Sequence, residues 1–287
     1  MTVLAARAPG KVNLSLFVGA PRGDGLHPLV SVVQAVSLAD ELTLAPAPAG
    51  AGGDEVRCPG VEGPNLAGAA LAAFREATGW DAPPQRLTIV KRVPVAAGMG
   101  GGSGDAAAAL RLAARASGRG DPVLLHALAA RLGADVPAQL EPGRVLMTGA
   151  GEHVRALPAG GPLGIVVVTS PERLSTPAVY REFDRLGGGR SEAELAELER
   201  AADPLPQELI HNDLEPAALS LCPSIRDALM ALATAGAEHA LVSGSGPTVF
   251  GLFHGHAGPA RARAAAARLG AIAAEPVGPE FAEVRAA

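Results

Sequence analysis

A glycine-rich segment, residues 94–104 with the sequence PVAAGMGGGSG, constrains the fold of this chain more than any other feature. The β-branched residues in 86–93 predict a strand before it, and the alanine-rich residues 105–116 predict a helix after it. Glycines let a ligand approach the backbone closely, and the free N–H groups at the start of a helix attract anions. The segment therefore predicts an anion site, and a phosphate chain is the ligand that suits it best.

The glycine segment matches neither of two familiar phosphate-binding motifs. The P-loop of nucleoside triphosphatases needs a lysine after its glycines, and none follows here. The dinucleotide motif, counted from Gly98, needs a third glycine where this chain has Ser103. A flexible turn in a chain with 36 glycines is the alternative. The position of the glycine segment between a predicted strand and a predicted helix favours the phosphate site over a flexible turn.

Composition argues against several kinds of partner and several locations for this protein. A net charge of −5 argues against binding to nucleic acid or to an anionic membrane surface. Two cysteines are too few for a disulfide framework, which favours a reducing compartment. No uninterrupted apolar run approaches the roughly 18 residues that a membrane span needs. We therefore expect a soluble, cytoplasmic protein.

The chain is long enough for two cores, since 287 residues exceed the usual size of a single domain. Strands and helices are mixed along both halves, which predicts an α+β protein. A Pro/Gly-rich stretch at residues 157–162 predicts a boundary, with domains at 1–157 and 158–287. We also predict a last strand at residues 275–284.

Lysine is rare in this chain: of 24 basic residues, only Lys11 and Lys91 are lysines. A lysine can mark a place where a compact ammonium suits better than a guanidinium, although chance retention is the alternative. Alternation over residues 12–18 predicts a strand with Val12, Leu14, Leu16 and Val18 on one face. Its other face then carries Lys11, Asn13, Ser15 and Phe17, as a polar site or as a solvent-facing edge.

Two further polar residues follow rigid points of the chain. His27 comes after the tight turn predicted at residues 23–25, and a surface histidine is the alternative to a ligand contact. Asp135 stands between a helix predicted at 122–132 and Pro137. A turn-capping role for Asp135 is slightly favoured from that segment alone.

Three motifs occur along the chain, at residues 8–14 (APGKVNL), 94–107 (PVAAGMGGGSGDAA) and 241–247 (LVSGSGP). In this order they resemble the three motifs of the GHMP small-molecule kinases, the family of galactose, homoserine, mevalonate and phosphomevalonate kinases. The resemblance implies a two-domain α+β fold. Its N-terminal nucleotide domain would be ribosomal-protein-S5-like, and its C-terminal domain would be an α/β sandwich of the ferredoxin-like type.

Six shorter motifs are similar to those of one branch of this family, whose members phosphorylate a cytidine-diphosphate sugar alcohol. They are residues 11–13 (KVN), 25–27 (GLH), 65–66 (NL), 132–137 (LGADVP), 175–176 (ST) and 212–216 (NDLEP). The similarity runs along nearly the whole chain, so the set is more specific than any single motif.

The resemblance implies a role for each matching residue. Asp135 would accept the proton of the substrate hydroxyl, and Lys11 would orient Asp135 and offset charge on the transferred phosphoryl group. Ser103 would lie near Mg²⁺. The substrate would contact Asn13, Thr176 and His27, with His27 at the cytosine. The residues implied to bind ATP are Asn65, Pro94, Val95, Ala96, Ala97, Gly98, Met99, Gly100, Gly101, Gly102, Ser103 and Gly104. The partner would be a small molecule, and the protein a monomer or a weak homodimer.

The chain departs from the family pattern at several positions. Leu26 stands where an aromatic residue usually precedes the histidine, so stacking on the base from that side is lost or replaced. Gly10, Ala96, Ala97 and Gly104 also differ, but none of them replaces Lys11 or Asp135. A GHMP kinase for another alcohol and a non-catalytic sensor on the same fold are the alternatives. The first is disfavoured by Asn13, His27 and residues 212–216, and the second by the presence of Lys11 and Asp135.

Overall fold

The computed structural model describes residues 3–95 and 97–287, and it confirms the α+β class. The strands are β1 Leu4–Val18, β2 Leu29–Pro46, β3 Glu55–Arg57, β4 Gln85–Val90, β5 Arg144–Thr148, β6 His153–Ala156, β7 Leu163–Val168, β8 His211–Asn212, β9 His239–Val242, β10 Val249–His254, β11 Ile272–Ala274 and β12 Arg285–Ala286. The helices are α1 Leu66–Thr78, α2 Gly101–Ser117, α3 Pro122–Leu132, α4 Thr176–Arg185, α5 Glu192–Ala201, α6 Glu215–Leu221, α7 Ile225–Thr234 and α8 Gly258–Leu269. Short 3₁₀ turns lie at Pro137–Gln139, Gln207–Leu209 and Pro279–Ala282.

The larger sheet is built around the long antiparallel pair β1 and β2. Its strand order is β12-β1-β2-β4-β3, while β5 pairs with β2 and β6, and β8 pairs with β1. The smaller sheet is antiparallel throughout, in the order β11-β7-β10-β9. The change of sheet falls between β6 and β7, where we propose the domain boundary at residues 157 and 158. Strands β8 and β12 return from the second half to the first.

Strand β1 contradicts the predicted simple alternation. Its register with β2 shifts between Pro9 and Lys11 and again between Asn13 and Ser15. A β-bulge of this kind turns the following side chains to the opposite face. Accordingly, Phe17 packs in the same core cluster as Val12 and Leu14, and a different cluster holds Leu16 and Val18. The prediction that Phe17 lies on a polar face is therefore wrong.

The helices of the first half pack on one face of the larger sheet. Side chains of α1 and α2 share a core with those of β1, β2 and β4. The four consecutive alanines 106–109 of α2 are fully buried, and their small size allows close packing. Asn65 caps α1 by accepting a hydrogen bond from the amide of Ala67 at 2.9 Å. Within residues 3–95 and 97–287, no helix has both the length and the apolar sequence to cross a membrane.

The two halves share a core cluster. Val12, Leu14 and Phe17 of β1 pack in it with Val167 of β7 and Phe250 of β10. A second cluster lies between the smaller sheet and helices α7 and α8. Because the shared cluster joins β1 to the smaller sheet, the polar residues of β1 are held in place by both halves.

The prediction of a last strand at residues 275–284 is wrong. Strand β11 ends at Ala274, and the chain then runs through a loop and the 3₁₀ turn Pro279–Ala282. Pro276 and Pro279 lack the N–H group that a sheet ladder needs and restrict φ, so the segment cannot continue as a regular strand.

Asp213 ties the segment after β8 to β1. Its carboxylate accepts hydrogen bonds from the amide of Val18 at 2.9 Å and from the guanidinium of Arg190 at 2.6 and 2.7 Å, and it lies 2.9 Å from His211 Nε2. Burial alone would raise the pKa of Asp213, but the hydrogen bonds from His211, Arg190 and the Val18 amide lower it to about 2. The ionised carboxylate therefore stabilises the junction of the two halves.

We expect Asp213→Asn to lower the free energy of unfolding by about 2 kcal/mol at pH 5 to 7. Because the folded-state pKa is depressed, this stabilisation is present above the unfolded-state pKa, near 3.8, and is lost as the pH falls through about 2. Urea titrations of the variant and the parent protein from pH 7 to pH 2 would test this. Asp227→Asn, at an exposed position on α7, is the control; a loss in Asp213→Asn that is the same at every pH would contradict the prediction.

Candidate active site

Three distant segments meet around Lys11. The amide of Lys11 donates a hydrogen bond to the carbonyl of Met99 in the glycine segment, at 2.9 Å. The ammonium donates to Asn13 Oδ1 at 2.8 Å and lies 3.6 Å from Asp135 Oδ2. Lys11 is buried, and the Asp135 side chain is 38% exposed, so the pair has one accessible member. The structure thus places next to each other the cation and the carboxylate that the family resemblance pairs.

A buried hydrogen-bond chain holds the Lys11 ammonium. The side-chain amide of Asn13 donates to Ser31 Oγ at 2.8 Å, and Ser31 Oγ donates to the carbonyl of Ser15 at 2.6 Å. With its nitrogen occupied by Ser31, Asn13 presents its oxygen to Lys11. Asn13 is neutral, so it orients the ammonium without cancelling its charge.

The glycine segment packs against the turn at residues 243–246, where contact requires the absence of a side chain. Gly98 has a φ of +70°, and a Cβ there would lie 2.3 Å from the carbonyl oxygen of Ser243. A Cβ on Gly244 would lie 3.4 Å from Lys11 Nζ. Asn212 supports this turn by donating to the carbonyls of Val242 and Gly244, both at 2.8 Å. These contacts give a structural reason for the sequence motifs at 212–216 and 241–247.

Helix α2 begins inside the glycine segment. The sequence predicts a helix from residue 105, but α2 starts at Gly101, so its first turn is Gly101, Gly102 and Ser103. Its N-cap is Gly100, with a φ of +66° and no side-chain hydrogen bond. The N–H groups of the first helical turn have no partner within the helix. They are therefore available to an anion.

Two cavities adjoin at the glycine segment. The larger, of ≈ 710 Å³, and the smaller, of ≈ 370 Å³, share Gly98, Gly100 and Ser103 in their walls. The expected site residues that line the larger cavity are Lys11, Asn13, His27, Asp135 and Thr176. Those that line the smaller one are Asn65, Pro94, Val95, Ala97, Gly101 and Gly102. The residues expected at the substrate thus line one cavity and most of those expected at ATP line the other, with Gly98, Gly100 and Ser103 in the walls of both.

Three of the expected site residues are not among the described residues that line the two cavities. The side chain of Met99 is buried in the shared core, and only its backbone carbonyl reaches Lys11. Gly104 packs against β1, where a Cβ would lie 3.1 Å from the carbonyl oxygen of Pro9. Ala96 lies outside the described residues.

An aromatic wall closes the larger cavity beside His27. The ring of Tyr180, on α4, lies 5.0 Å from the ring of His27, and Leu26 is 52% exposed. Thr176 Oγ1 is 2.9 Å from Ser245 Oγ. Burial and, to a smaller extent, the charge of Asp135 raise the pKa of Tyr180 to about 12, so its hydroxyl stays protonated at neutral pH. Sequence reasoning missed Tyr180; the signal was its place one helical turn after Thr176.

Lys91 lies in the wall of the smaller cavity, between two carboxylates that sequence reasoning also missed. Its ammonium is 2.5 Å from Asp40 Oδ2 and 2.8 Å from Asp105 Oδ2. Burial lowers the pKa of Lys91, but the charges and hydrogen bonds of Asp105 and Asp40 outweigh burial and raise it. Burial raises the pKa of Asp105 to about 7. Both lysines of the chain are therefore paired cations beside the glycine segment, Lys11 buried and Lys91 partly buried.

Among the described residues, few side-chain oxygens are available to a metal ion where the two cavities meet. Among residues 3–95 and 97–287, no group of three His, Cys, Asp or Glu side chains is arranged to hold a metal. Ser103, in the walls of both cavities, offers one hydroxyl. Mg²⁺ commonly takes one or two protein oxygens and completes its shell with phosphates and water. The donor set therefore fits a magnesium ion that arrives with a nucleotide.

Two family models match the chain and identify its class, the small-molecule kinases. The model "GHMP kinases N terminal domain" matches residues 65–143, and the model "GHMP kinases C terminal" matches residues 194–272. Together with the relatives described next, these matches show that the chain belongs to the GHMP kinase family. Membership of a kinase family implies the use of ATP.

The relatives with high identity carry one name. The 4-diphosphocytidyl-2-C-methyl-D-erythritol kinase of Streptomyces coelicolor is 45% identical over 262 residues, which cover 85% of this chain and 86% of that protein. The enzyme of the same name from Methylobacterium radiotolerans is 43% identical and covers 92% of this chain and 94% of its own. A crystal structure of 4-(cytidine 5'-diphospho)-2C-methyl-D-erythritol kinase aligns with a TM-score of 0.77 at 35% identity, over 96% of this chain and 99% of that one.

We expect Gly98→Ala to destabilise the protein by at least about 2 kcal/mol, because it combines a positive φ with a clash against the backbone of residue 243. Gly102→Ala is the matched control in the same segment: a Cβ there meets nothing within 4 Å, and alanine favours the helix by about 0.5–1 kcal/mol. Chemical denaturation of both variants measures the difference. Equal stabilities would show that the loop does not depend on the contact between Gly98 and the turn.

Proposed function

We propose that this protein transfers the γ-phosphoryl group of ATP to the 2-hydroxyl of 4-diphosphocytidyl-2-C-methyl-D-erythritol, a step of the non-mevalonate isoprenoid pathway. The observation that carries the proposal is the Lys11–Asp135 pair in the larger cavity, at the point where that cavity meets the glycine segment. The names of the relatives supply the substrate.

ATP binds, in this proposal, on the smaller-cavity side of the glycine segment. Its phosphates lie over the N-terminus of α2, where the N–H groups of Gly101, Gly102 and Ser103 and the helix dipole attract negative charge. Asn65 and Lys91 line the same cavity. Mg²⁺ would be held by the phosphates and Ser103, and when bound it supplies neutralisation of phosphate charge.

Asp135 accepts the proton of the attacking hydroxyl. It is an accessible carboxylate in the larger cavity, and carboxylates serve as general bases when they lie within hydrogen-bond reach of an alcohol. Tyr180 lines the same cavity but cannot take this role, because its raised pKa keeps it protonated. Phosphoryl transfer otherwise needs alignment and neutralisation of spread charge. Lys11 provides both, since its ammonium is fixed by Asn13 and faces Asp135.

The cytidine part of the substrate occupies the side of the larger cavity lined by His27 and Tyr180. Tyr180 offers an aromatic face 5.0 Å from the His27 ring. It therefore supplies, from the second half of the chain, stacking that Leu26 does not supply from the first. Thr176 and Asn13 also line this cavity and offer polar groups to the substrate.

Measurement of ADP release with Mg-ATP and 4-diphosphocytidyl-2-C-methyl-D-erythritol tests the proposal, with homoserine, mevalonate and galactose assayed in parallel. We expect turnover of the cytidine compound alone. Turnover of another alcohol instead would refute the substrate assignment. ATP binding without any turnover would favour a sensor.

Asp135→Asn should lower kcat by at least about 100-fold, because the amide cannot accept the hydroxyl proton. Calorimetry should find ATP and substrate affinities close to those of the parent protein. Glu141→Gln, an exposed carboxylate in the wall of a different cavity, serves as the control. A kcat within a few-fold of the parent value would remove Asp135 as the base.

Lys11→Arg should lower kcat by at least about 10-fold although the charge is kept. Lys11 is buried against the glycine segment, where a Cβ on Gly100 would already lie 3.2 Å from Lys11 Cγ, so a guanidinium cannot take the place of the ammonium. Steady-state kinetics together with a melting curve would separate this effect from unfolding. Parental activity in a stable Lys11→Arg protein would mean that any cation suffices there.

A further inference from the structure

Asp184, on α4, faces the wall of the larger cavity that holds His27. Its Oδ2 lies 3.5 Å from His27 Nε2, and its side chain is 39% exposed. Within residues 3–95 and 97–287, His27 is the sole ion-pair partner of Asp184. A direct N–H···O hydrogen bond measures about 2.7–3.2 Å. The carboxylate therefore keeps oxygen lone pairs that a ligand in the cavity can use.

The other ring nitrogen of His27 fixes the chemistry of this pair. Nδ1 lies 2.8 Å from the carbonyl oxygen of Gly19, and because a carbonyl only accepts, Nδ1 must donate. Nε2 then presents a lone pair when the ring is neutral and an N–H when it is charged, so it adapts to a ligand. An ionised Asp184 has no such freedom, since a carboxylate only accepts hydrogen bonds.

Tyr180 places a flat ligand against this pair. It precedes Asp184 by four residues on α4, so both side chains lie on the same face of the helix. Both residues and His27 line the larger cavity. A planar base stacked on the Tyr180 ring would point its edge toward the Asp184 carboxylate and His27 Nε2.

We propose that Asp184 is a specificity-determining residue that selects cytosine over uracil by accepting a hydrogen bond from the exocyclic amino group. This inference rests on the proposed function for the identity of the base. The two pyrimidines have nearly the same size. They differ at C4, where cytosine carries an amino donor and uracil a carbonyl acceptor, and at N3, which is an acceptor in cytosine and an N–H donor in uracil. A carboxylate placed at the C4 substituent pairs with the cytosine amino group and opposes the uracil carbonyl, and opposing acceptors in a partly buried site are costly.

The same helix offers a matched control. Glu182 is a carboxylate two residues before Asp184, but it accepts hydrogen bonds from Arg185 and Ser220 and does not line the larger cavity. Asp184→Asn keeps the shape of the side chain and replaces one acceptor oxygen by an N–H donor, which suits the uracil carbonyl. Glu182→Gln makes the same chemical change away from the cavity.

Calorimetric binding of cytidine 5′-diphosphate and uridine 5′-diphosphate tests the proposal, with a saturating non-hydrolysable ATP analogue present to occupy the glycine-segment site. We expect the parent protein and Glu182→Gln to prefer the cytidine compound by about 10-fold or more, the effect of about 1.4 kcal/mol. In Asp184→Asn the preference should fall to within about threefold, with weaker cytidine binding and tighter uridine binding. Melting curves check that each variant is folded.

Two outcomes would overturn the proposal: an unchanged preference in Asp184→Asn, or no preference in the parent protein. Because this experiment measures binding and not turnover, it is independent of the proposed reaction. A parent protein that prefers the cytidine compound through Asp184 but phosphorylates another alcohol would refute the proposed function and leave this inference standing.

Discussion

The site depends on close backbone contact between the glycine segment, the strand that carries Lys11 and the turn at residues 243–246. The Lys11 amide bonds to the carbonyl of Met99, and the Ser243 hydroxyl bonds to the carbonyl of Gly98. These contacts need glycine at Gly98, where any side chain would meet the backbone of Ser243. Because the three segments come from both halves of the chain, the site forms only when both halves have folded.

Charge is arranged on either side of this contact. Each of the two lysines is paired, the buried Lys11 with Asp135 and the partly buried Lys91 with Asp40 and Asp105. A buried cation without such partners would be strongly unfavourable. The pairs differ in access, since the carboxylate facing Lys11 opens to the larger cavity whereas both partners of Lys91 are buried. Lys11 thus lines the larger cavity beside an accessible carboxylate, and Lys91 lines the smaller cavity beside two buried ones.

The two halves of the chain contribute different side chains to the candidate site. The first half supplies the glycine segment, the start of α2, Lys11 and Asp135, all close to where a phosphoryl group would pass. The second half supplies α4, whose Thr176, Tyr180 and Asp184 line the far wall of the larger cavity. In the proposed function, α4 thus adds contacts to the acceptor from the second half to those of Asn13 and His27 from the first, and the shared core cluster joins the two halves.

From sequence alone, local pattern determined the α+β class and the strand–glycine–helix unit, and the resemblance to the GHMP kinases supplied the candidate roles of Lys11, His27 and Asp135. Tertiary structure decided the rest. A β-bulge reversed the faces of β1, because register depends on the partner strand. Tyr180, Asp184 and the partners of Lys91 became visible only when distant segments met. Periodicity and turn residues act over a few neighbours, whereas burial and pairing of polar groups depend on which remote segment packs against them.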